Sequence, residues 1–272
     1  MAVARINGIN LGYDDYGTGE PIVMVTGTGA PGRMWRTHVP ALRAGGFRVV
    51  TMDNRGIPPT DLCPEGFTLD DMAADVAGLI EFLGLAPCRV VGFSLGAVIV
   101  QELLIARPEL VRQAVLIATA GRTDALTAAL AAADLELCDS GMKLPPRYAA
   151  VVAAMQNLSP RTLNNTTELN DWLDIFELSP VDLSAIRTQL GLQLIPDRRP
   201  HYGGIRCPCL VIGFGDDLIT RPHLCREVAD SIPGAVYQEI EGCGHFGYLE
   251  RPAAVDAAIV GFFAGTGTGT GS

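Results

Sequence analysis

Short unbroken apolar runs alternate along this chain with longer stretches in which apolar residues recur every three or four positions. Pro21–Thr26 (PIVMVT), Arg48–Asp53 (RVVTMD), Cys88–Phe93 (CRVVGF), Ala114–Ala118 (AVLIA) and Cys209–Phe214 (CLVIGF) are continuous and rich in β-branched residues. Such runs read as strands buried on both faces. Thr68–Leu83 carries Met72, Val76, Leu79, Ile80 and Leu83 at helical spacing. Thr68 stands as N-cap with Asp71 three residues on, a variant of the capping box. Leu95–Arg107 reads as a second helix, stopped by Pro108. Strand and helix in alternation imply right-handed crossovers and a mostly parallel sheet, an α/β fold. Ahead of it, Ala2–Ile6 and Leu11–Tyr16 read as an antiparallel hairpin around Gly8 and Asn10.

The middle of the chain breaks the pattern. Between Arg122 and about Gly204 nothing reads as a strand. Thr123–Ser140, Arg147–Leu158, Asn170–Leu178 and Val181–Leu194 read as helices, separated by Pro145, Pro146, Pro160, Pro180 and Pro196. The expectation is a core of residues 1–121 and 205–264 with a helical cap, 122–204, inserted in it. The α/β pattern resumes with Cys209–Phe214, a helix at His223–Ile232, the strand Val236–Ile240 and a helix at Ala253–Ala264. Residues 265–272 (GTGTGTGS) read as a disordered, low-complexity tail.

Composition narrows the classes. Apolar residues make up 48% of the 272 and charged residues 18%, which excludes a disordered chain. Twenty basic against thirty acidic residues leave a net charge of −10. That speaks against nucleic acid or an anionic membrane as partner, since phosphate binding needs clustered Lys and Arg. One lysine, Lys143, stands against 19 arginines, a bias typical of GC-rich bacterial genomes. Seven cysteines without a C-x-x-C read as reduced structural thiols. Cys207 and Cys209 fall on one side of a strand. Met1–Leu11 lacks the pattern of a secretory signal, and no apolar stretch reaches a membrane-spanning length. The cytoplasm is the expected location.

Gly92-Phe93-Ser94-Leu95-Gly96 is a G-x-S-x-G sequence between a strand and a helix. That is the setting of a nucleophile elbow, in which glycines let strand and helix approach around a strained serine. Its bland alternative is a glycine-rich turn that only packs. A serine needs a base. His38 at a helix start, His201 and His223 read as surface or cap residues. His245, within Gly242-Cys243-Gly244-His245-Phe246, follows the last strand in a loop that glycines free to aim the imidazole. The base needs a carboxylate to fix its tautomer, and Asp216 and Asp217 follow the strand before it. Serine, acid and histidine thus occur in the chain order Ser…Asp…His.

With these residues in place the chain resembles the α/β-hydrolase family over about residues 5–264. Within it the likeness is to the cofactor-free haloperoxidase-like (bromoperoxidase-C type) branch. The likeness is carried by Gly17-Thr18-Gly19, Thr26-Gly27-Thr28-Gly29, Asp53-Asn54-Arg55-Gly56, the elbow at Ser94, Gln101-Glu102-Leu103 and Gly242 to Pro252. The resemblance implies a catalytic triad of Ser94, Asp217 and His245. Asp217 fits the family's frame, with the usual proline replaced by Arg221 and recovered at Pro222. Asp216 remains its rival. It further implies an oxyanion hole made by the backbone N–H groups of Thr28 and Leu95, where the family often carries His-Gly-x instead of Thr26-Gly27-Thr28. Arg55 reads as a structural charge, and Met34 and Trp35 as pocket lining or core. The implied activity is cleavage of an ester or thioester of a hydrophobic small molecule through an acyl-enzyme, with no cofactor or metal. A metal-free haloperoxidase side reaction is implied by the branch. The alternatives are acyl transfer, cyclisation or C–C hydrolysis on the same triad, or a non-catalytic binding protein on the same fold.

Overall fold

The computed structural model describes residues 1–179 and 183–265. Eight strands, β1 Ala2–Ile6, β2 Ile9–Tyr16, β3 Glu20–Val25, β4 Phe47–Met52, β5 Cys88–Phe93, β6 Val111–Ile117, β7 Cys209–Phe214 and β8 Val236–Ile240, form one sheet. Its order is β1-β2-β4-β3-β5-β6-β7-β8, with the first two pairings antiparallel and the rest parallel. Every residue of β5 and of β7 is buried, as continuous apolar runs in a covered parallel sheet require.

Helices cover both faces. On one face α2 (Leu69–Phe82), α3 (Leu95–Ala106) and α10 (Pro222–Ser231) bury Met72, Val76, Leu103 and Val228 against Val23, Val90 and Val211. On the other, α1 (Val39–Ala44) and α12 (Pro252–Gly265) bury Leu42, Ile259 and Phe263 against Ile22, Met24 and Ile212. The Thr68 capping box forms as the sequence predicts, its side chain accepting from the Asp71 amide. Between β6 and β7 lie α4 (Ala125–Ser140), α5 (Pro146–Asn157), α6 (Pro160–Leu163), α7 (Thr166–Leu178), α8 (Leu183–Gly191) and α9 (Arg199–Tyr202). Among the described residues this insertion contains no strand, and no helix of the chain is long and apolar enough to cross a membrane. The remaining helix, α11 (Gly247–Glu250), follows β8.

Three sequence expectations are corrected. The hairpin turns at Asn7-Gly8, both at positive φ (49° and 82°), with Ile6 opposite Ile9, so Asn10 lies within β2. His38 is neither a surface residue nor a side-chain cap. It is fully buried, and its Nδ1 meets Asp256 Oδ1 at 2.7 Å, a partner 218 residues away. Gly265 belongs to α12 rather than to a tail; the rest of the predicted disordered segment, 266–272, lies outside the described residues.

The topology fixes where chemistry can sit. The chain leaves β3 toward β4 on one side and leaves β5 toward β6 on the other. The carboxyl ends of β3 and β5 therefore flank the point where the crossovers part, the place where α/β sheets open a crevice.

Candidate active site

Ser94 stands at that point, between the last residue of β5 and the first of α3. Its backbone is held at φ 53°, ψ −121°, a region that costs about 1–3 kcal/mol for a residue with a side chain. The flanking glycines make the turn sterically feasible. A Cβ on Gly92 would lie 2.5 Å from the Gly96 carbonyl oxygen, and one on Gly96 would lie 2.3 Å from the Val25 carbonyl oxygen. The Ser94 amide donates to Ile117 O at 2.9 Å, tying the elbow to β6. The Ser94 side chain is left partly exposed, facing the other strand ends.

His245 and Asp217 reach it from the loops after β8 and β7. His245 Nε2 lies 3.1 Å from Ser94 Oγ, and His245 Nδ1 lies 2.8 Å from Asp217 Oδ2. A carboxylate only accepts, so Nδ1 carries the proton toward Asp217 and Nε2 presents its lone pair to the Ser94 hydroxyl. Asp217 is 2% exposed and its oxygens are filled. Oδ1 accepts from the amides of Ile219 (2.7 Å) and Thr220 (2.9 Å), and Oδ2 also accepts from Thr220 Oγ1 (2.8 Å). Burial pushes this carboxyl up, but His245, the Thr220 hydroxyl and the Ile219 amide together outweigh it and hold it below the ordinary carboxylate range. Asp216 does not reach the histidine. Its amide donates to Cys243 O at 3.0 Å, and among the described residues its carboxylate has no hydrogen-bond or ionic partner.

The two expected oxyanion donors flank the serine. Leu95 opens α3, where unpaired amides and the positive end of the helix favour an anion. Thr28 lies in a turn after β3, closed by the Ala30 amide donating to Gly27 O at 3.2 Å. That turn is pressed against the elbow: a Cβ on Gly27 would sit 3.0 Å from Ser94 Cβ. Among the described residues neither the Thr28 nor the Leu95 amide has a hydrogen-bond partner. Arg55, as read from the sequence, serves structure: its Nε and Nη2 bind the buried Asp75 of α2 at 2.5 and 2.9 Å. Trp35 is fully buried in the core beside Phe93 and Tyr248, and Met34 is half-buried.

Sequence reasoning passed over three residues that hold these groups. Thr220 braces Asp217. Glu250, on α11, accepts from Gly244 N (2.7 Å), Ser159 N (3.0 Å), Ser159 Oγ (2.8 Å) and Thr162 Oγ1 (2.6 Å). It thereby bolts the histidine loop to the α5–α6 junction of the insertion. Gln189, on α8, is fully buried and contacts the turn containing Thr28. Of the three, only Glu250 left a signal, an acid five residues after the loop histidine. Phe246, next to His245, lies 6.1 Å from Trp172 and 6.0 Å from Phe176 of the insertion between ring centroids. A cavity of about 530 Å³ opens beside the acid turn, lined by Met155, Leu158 and Leu163 from the insertion and by Asp216, Leu218 and Arg221. Among the described residues no cluster of three or more His, Cys, Asp or Glu side chains is placed to hold a metal ion.

Comparison with known proteins agrees with this architecture. A family model described as the alpha/beta hydrolase family matches residues 22–258. A Mycobacterium tuberculosis protein named as a non-heme bromoperoxidase, BpoC, is 48% identical over 258 residues, covering 94% of this chain and 98% of that protein. Its crystal structure superposes with a TM-score of 0.92, covering 95% of this chain and 97% of the other. A protein of Azorhizobium caulinodans named as a carbamate hydrolase, RutD, is 26% identical over 96% of this chain and 98% of its own length. The structure of the enol-lactonase from Burkholderia xenovorans LB400 is 25% identical, with a TM-score of 0.84 over 97% of this chain and all of that one.

Proposed function

The chain belongs to the alpha/beta hydrolase family, and from that premise we propose that it is a serine hydrolase cleaving an ester or thioester of a hydrophobic small molecule. The observation that carries this reading is the unbroken series Ser94 Oγ–His245 Nε2 (3.1 Å) and His245 Nδ1–Asp217 Oδ2 (2.8 Å), set on a strained elbow. In the proposed reaction His245 takes the hydroxyl proton as Ser94 attacks the carbonyl. Asp217 stabilises the imidazolium that forms. The amides of Thr28 and Leu95 receive the negative oxygen, a term worth several kcal/mol in such sites. His245 then returns the proton to the leaving group, and water releases the acyl group by the same steps in reverse.

The ring of Phe246 beside His245, packed against Trp172 and Phe176 of the insertion, favours a hydrophobic acyl or alcohol group. The enol-lactonase among the structural neighbours is named for an ester bond, which supports the substrate class. A second reading has support of its own in the bromoperoxidase name of the M. tuberculosis relative. Peroxide in place of water would release a peracid from the acyl-enzyme, and the peracid would oxidise halide. No nucleic acid and no membrane take part in this reading. The cytoplasm is the compartment we assign, in keeping with the free thiols of Cys63, Cys88, Cys207, Cys209, Cys225 and Cys243.

The test is Ser94→Ala assayed on short p-nitrophenyl esters. Turnover is expected to fall by at least ~10³, with the fold retained, since binding and the oxyanion hole leave only a residual rate. Near-wild-type turnover, or failure of a fluorophosphonate to label Ser94 in the parent protein, would remove the serine from the reaction.

A further inference from the structure

The turn that offers the Thr28 amide is held from outside the α/β core. Gln189 of α8 is a fully buried carboxamide with both ends engaged. Its Oε1 accepts from the Gly29 amide at 2.8 Å and its Nε2 donates to Arg55 O at 2.6 Å. The approach is close by design of the sequence: a Cβ on Gly56 would lie 3.0 Å from the Ala185 carbonyl oxygen and 3.6 Å from Gln189 Nε2. On α8, Ile186 and Leu190 pack with Ile57, which follows that glycine. The helix and the loop at 55–57 are therefore joined by packing as well as by hydrogen bonds.

The peptide that Gln189 grips is a sensitive one. The turn Gly27–Ala30 is closed by Ala30 N to Gly27 O, and Gly29 sits in its third position at φ +68°. The central peptide of such a turn, here Thr28–Gly29, is the part that rotates between turn types; it carries the Gly29 N–H and adjoins the Gly27–Thr28 peptide that carries the Thr28 N–H. The rest of the turn is pinned by the core: Asn54 Nδ2 donates to Thr26 O at 2.9 Å, and Thr26 Oγ1 donates to Ala30 O at 2.7 Å. Among the described residues the Gly29 amide has no other acceptor than Gln189.

The geometry points to Gln189 as a positioning residue, through which helix α8 of the insertion fixes the oxyanion turn so that the Thr28 amide faces the reacting oxygen. This rests on the serine-hydrolase reading above and adds a residue to it. Gln189 touches no reacting atom; it acts through Gly29. An oxyanion donor stabilises the transition state more than the bound ester. Loss of Gln189 should therefore appear in kcat and in the binding of oxyanion-forming inhibitors, not in KM.

The experiment compares the full chain with Gln189→Leu, Gln189→Glu and Ser94→Ala. For Gln189→Leu we expect kcat on a p-nitrophenyl ester to fall by about tenfold to a hundredfold with KM within about threefold. A trifluoromethyl ketone, which forms an oxyanion on the serine, should bind more weakly by the same factor. A merely structural glutamine would lower Tm and leave the kcat and inhibition of folded enzyme unmoved. Gln189→Glu supplies the second readout. As a neutral acid it can accept from Gly29 and donate to Arg55; as a carboxylate it loses the second bond. Its kcat relative to the parent should climb as pH is lowered from about 9 to about 5. Wild-type kcat and inhibitor affinity in Gln189→Leu would overturn the proposal. If that variant does not fold, a pH-independent ratio near one in Gln189→Glu overturns it. Turnover that survives Ser94→Ala would instead strike the hydrolase reading itself.

Discussion

Replacing Asp217 by asparagine tests the orientation of the histidine. Asp217 Oδ1 takes two backbone amides, from Ile219 at 2.7 Å and Thr220 at 2.9 Å. An asparagine keeps its carbonyl oxygen there, because an NH₂ group would confront both donors. The NH₂ group then falls at the Oδ2 position, 2.8 Å from His245 Nδ1. Two donors cannot share that contact. The imidazole must adopt the other tautomer, with Nδ1 accepting and Nε2 protonated toward Ser94, and a protonated Nε2 cannot take the serine proton. The expected loss in kcat is about 10⁴, or about 5.5 kcal/mol at 1.36 kcal/mol per decade. Asp216→Asn removes a carboxylate that has no partner among the described residues, and should cost less than about tenfold. Saturation kinetics on a p-nitrophenyl ester measure both. Reversed effects would refute the assignment. Stability carries an independent sign. The folded Asp217 carboxyl sits below the ordinary range, against the pull of its own burial, through His245, Thr220 and the Ile219 amide. Its contribution is therefore complete above the unfolded pKa of about 3.9 and is lost as pH falls through the lower folded value. Urea unfolding of the parent and of Asp217→Asn should differ most above the unfolded pKa of about 3.9, and converge as pH falls below it. A gap that stayed constant through that fall would refute the argument.

Two further outcomes follow from the same contacts. In Glu250→Gln the amide oxygen should keep the place of Oε1, which three donors address, and turn its NH₂ group toward the Gly244 amide. We expect about 1–3 kcal/mol of lost stability in urea titration and a kcat reduced by about tenfold through the loosened histidine loop; an unchanged midpoint would show that the Gly244 bond contributes nothing. Peroxide-dependent bromination of a dye substrate, if it proceeds by the acyl-enzyme, should need a carboxylic acid such as acetate, survive a chelator, and vanish in Ser94→Ala. Bromination that persists in the serine variant would place that chemistry elsewhere on the protein.

Much of the fold was legible because each strand is a local apolar run and each helix a local repeat. Cys88–Phe93, Cys209–Phe214 and Val236–Ile240 match their strands residue for residue. What escaped was polar pairing across the fold. Asn10 looks like a turn residue, but its amide and side chain bind Asp61 at 2.9 and 3.3 Å, fifty-one positions away, which suits a strand edge. His38 looks like a surface cap until Asp256 is brought to its ring. Gln189 lies in a stretch with no motif, and its acceptor role belongs to an amide 160 residues earlier. Periodicity and capping rules see only a few residues either way, whereas a buried polar group is defined by whatever the topology delivers to it.

The site itself was legible to the extent that topology, rather than side-chain detail, places it. In a parallel sheet all carboxyl ends share one edge, so the loops after β3, β5, β7 and β8 meet once the strand order is set. A serine after β5, an acid after β7 and a histidine after β8 can then be read from chain order. The choice between adjacent acids cannot, because it depends on the path of one turn. The Asp217 amide donates to Phe214 O at 3.1 Å, closing a four-residue turn, and its Oδ1 then caps the amides of Ile219 and Thr220. That doubly held carboxylate has one oxygen left to face inward, and it faces His245. Asp216 occupies the outer corner of the same turn, where its amide is used by Cys243 O. The frame from Arg221 and Pro222 hints at this because the turn must end as α10 begins, with Pro222 at its first position. The path in between is set by hydrogen bonds to the loop after β8, the loop that carries the histidine.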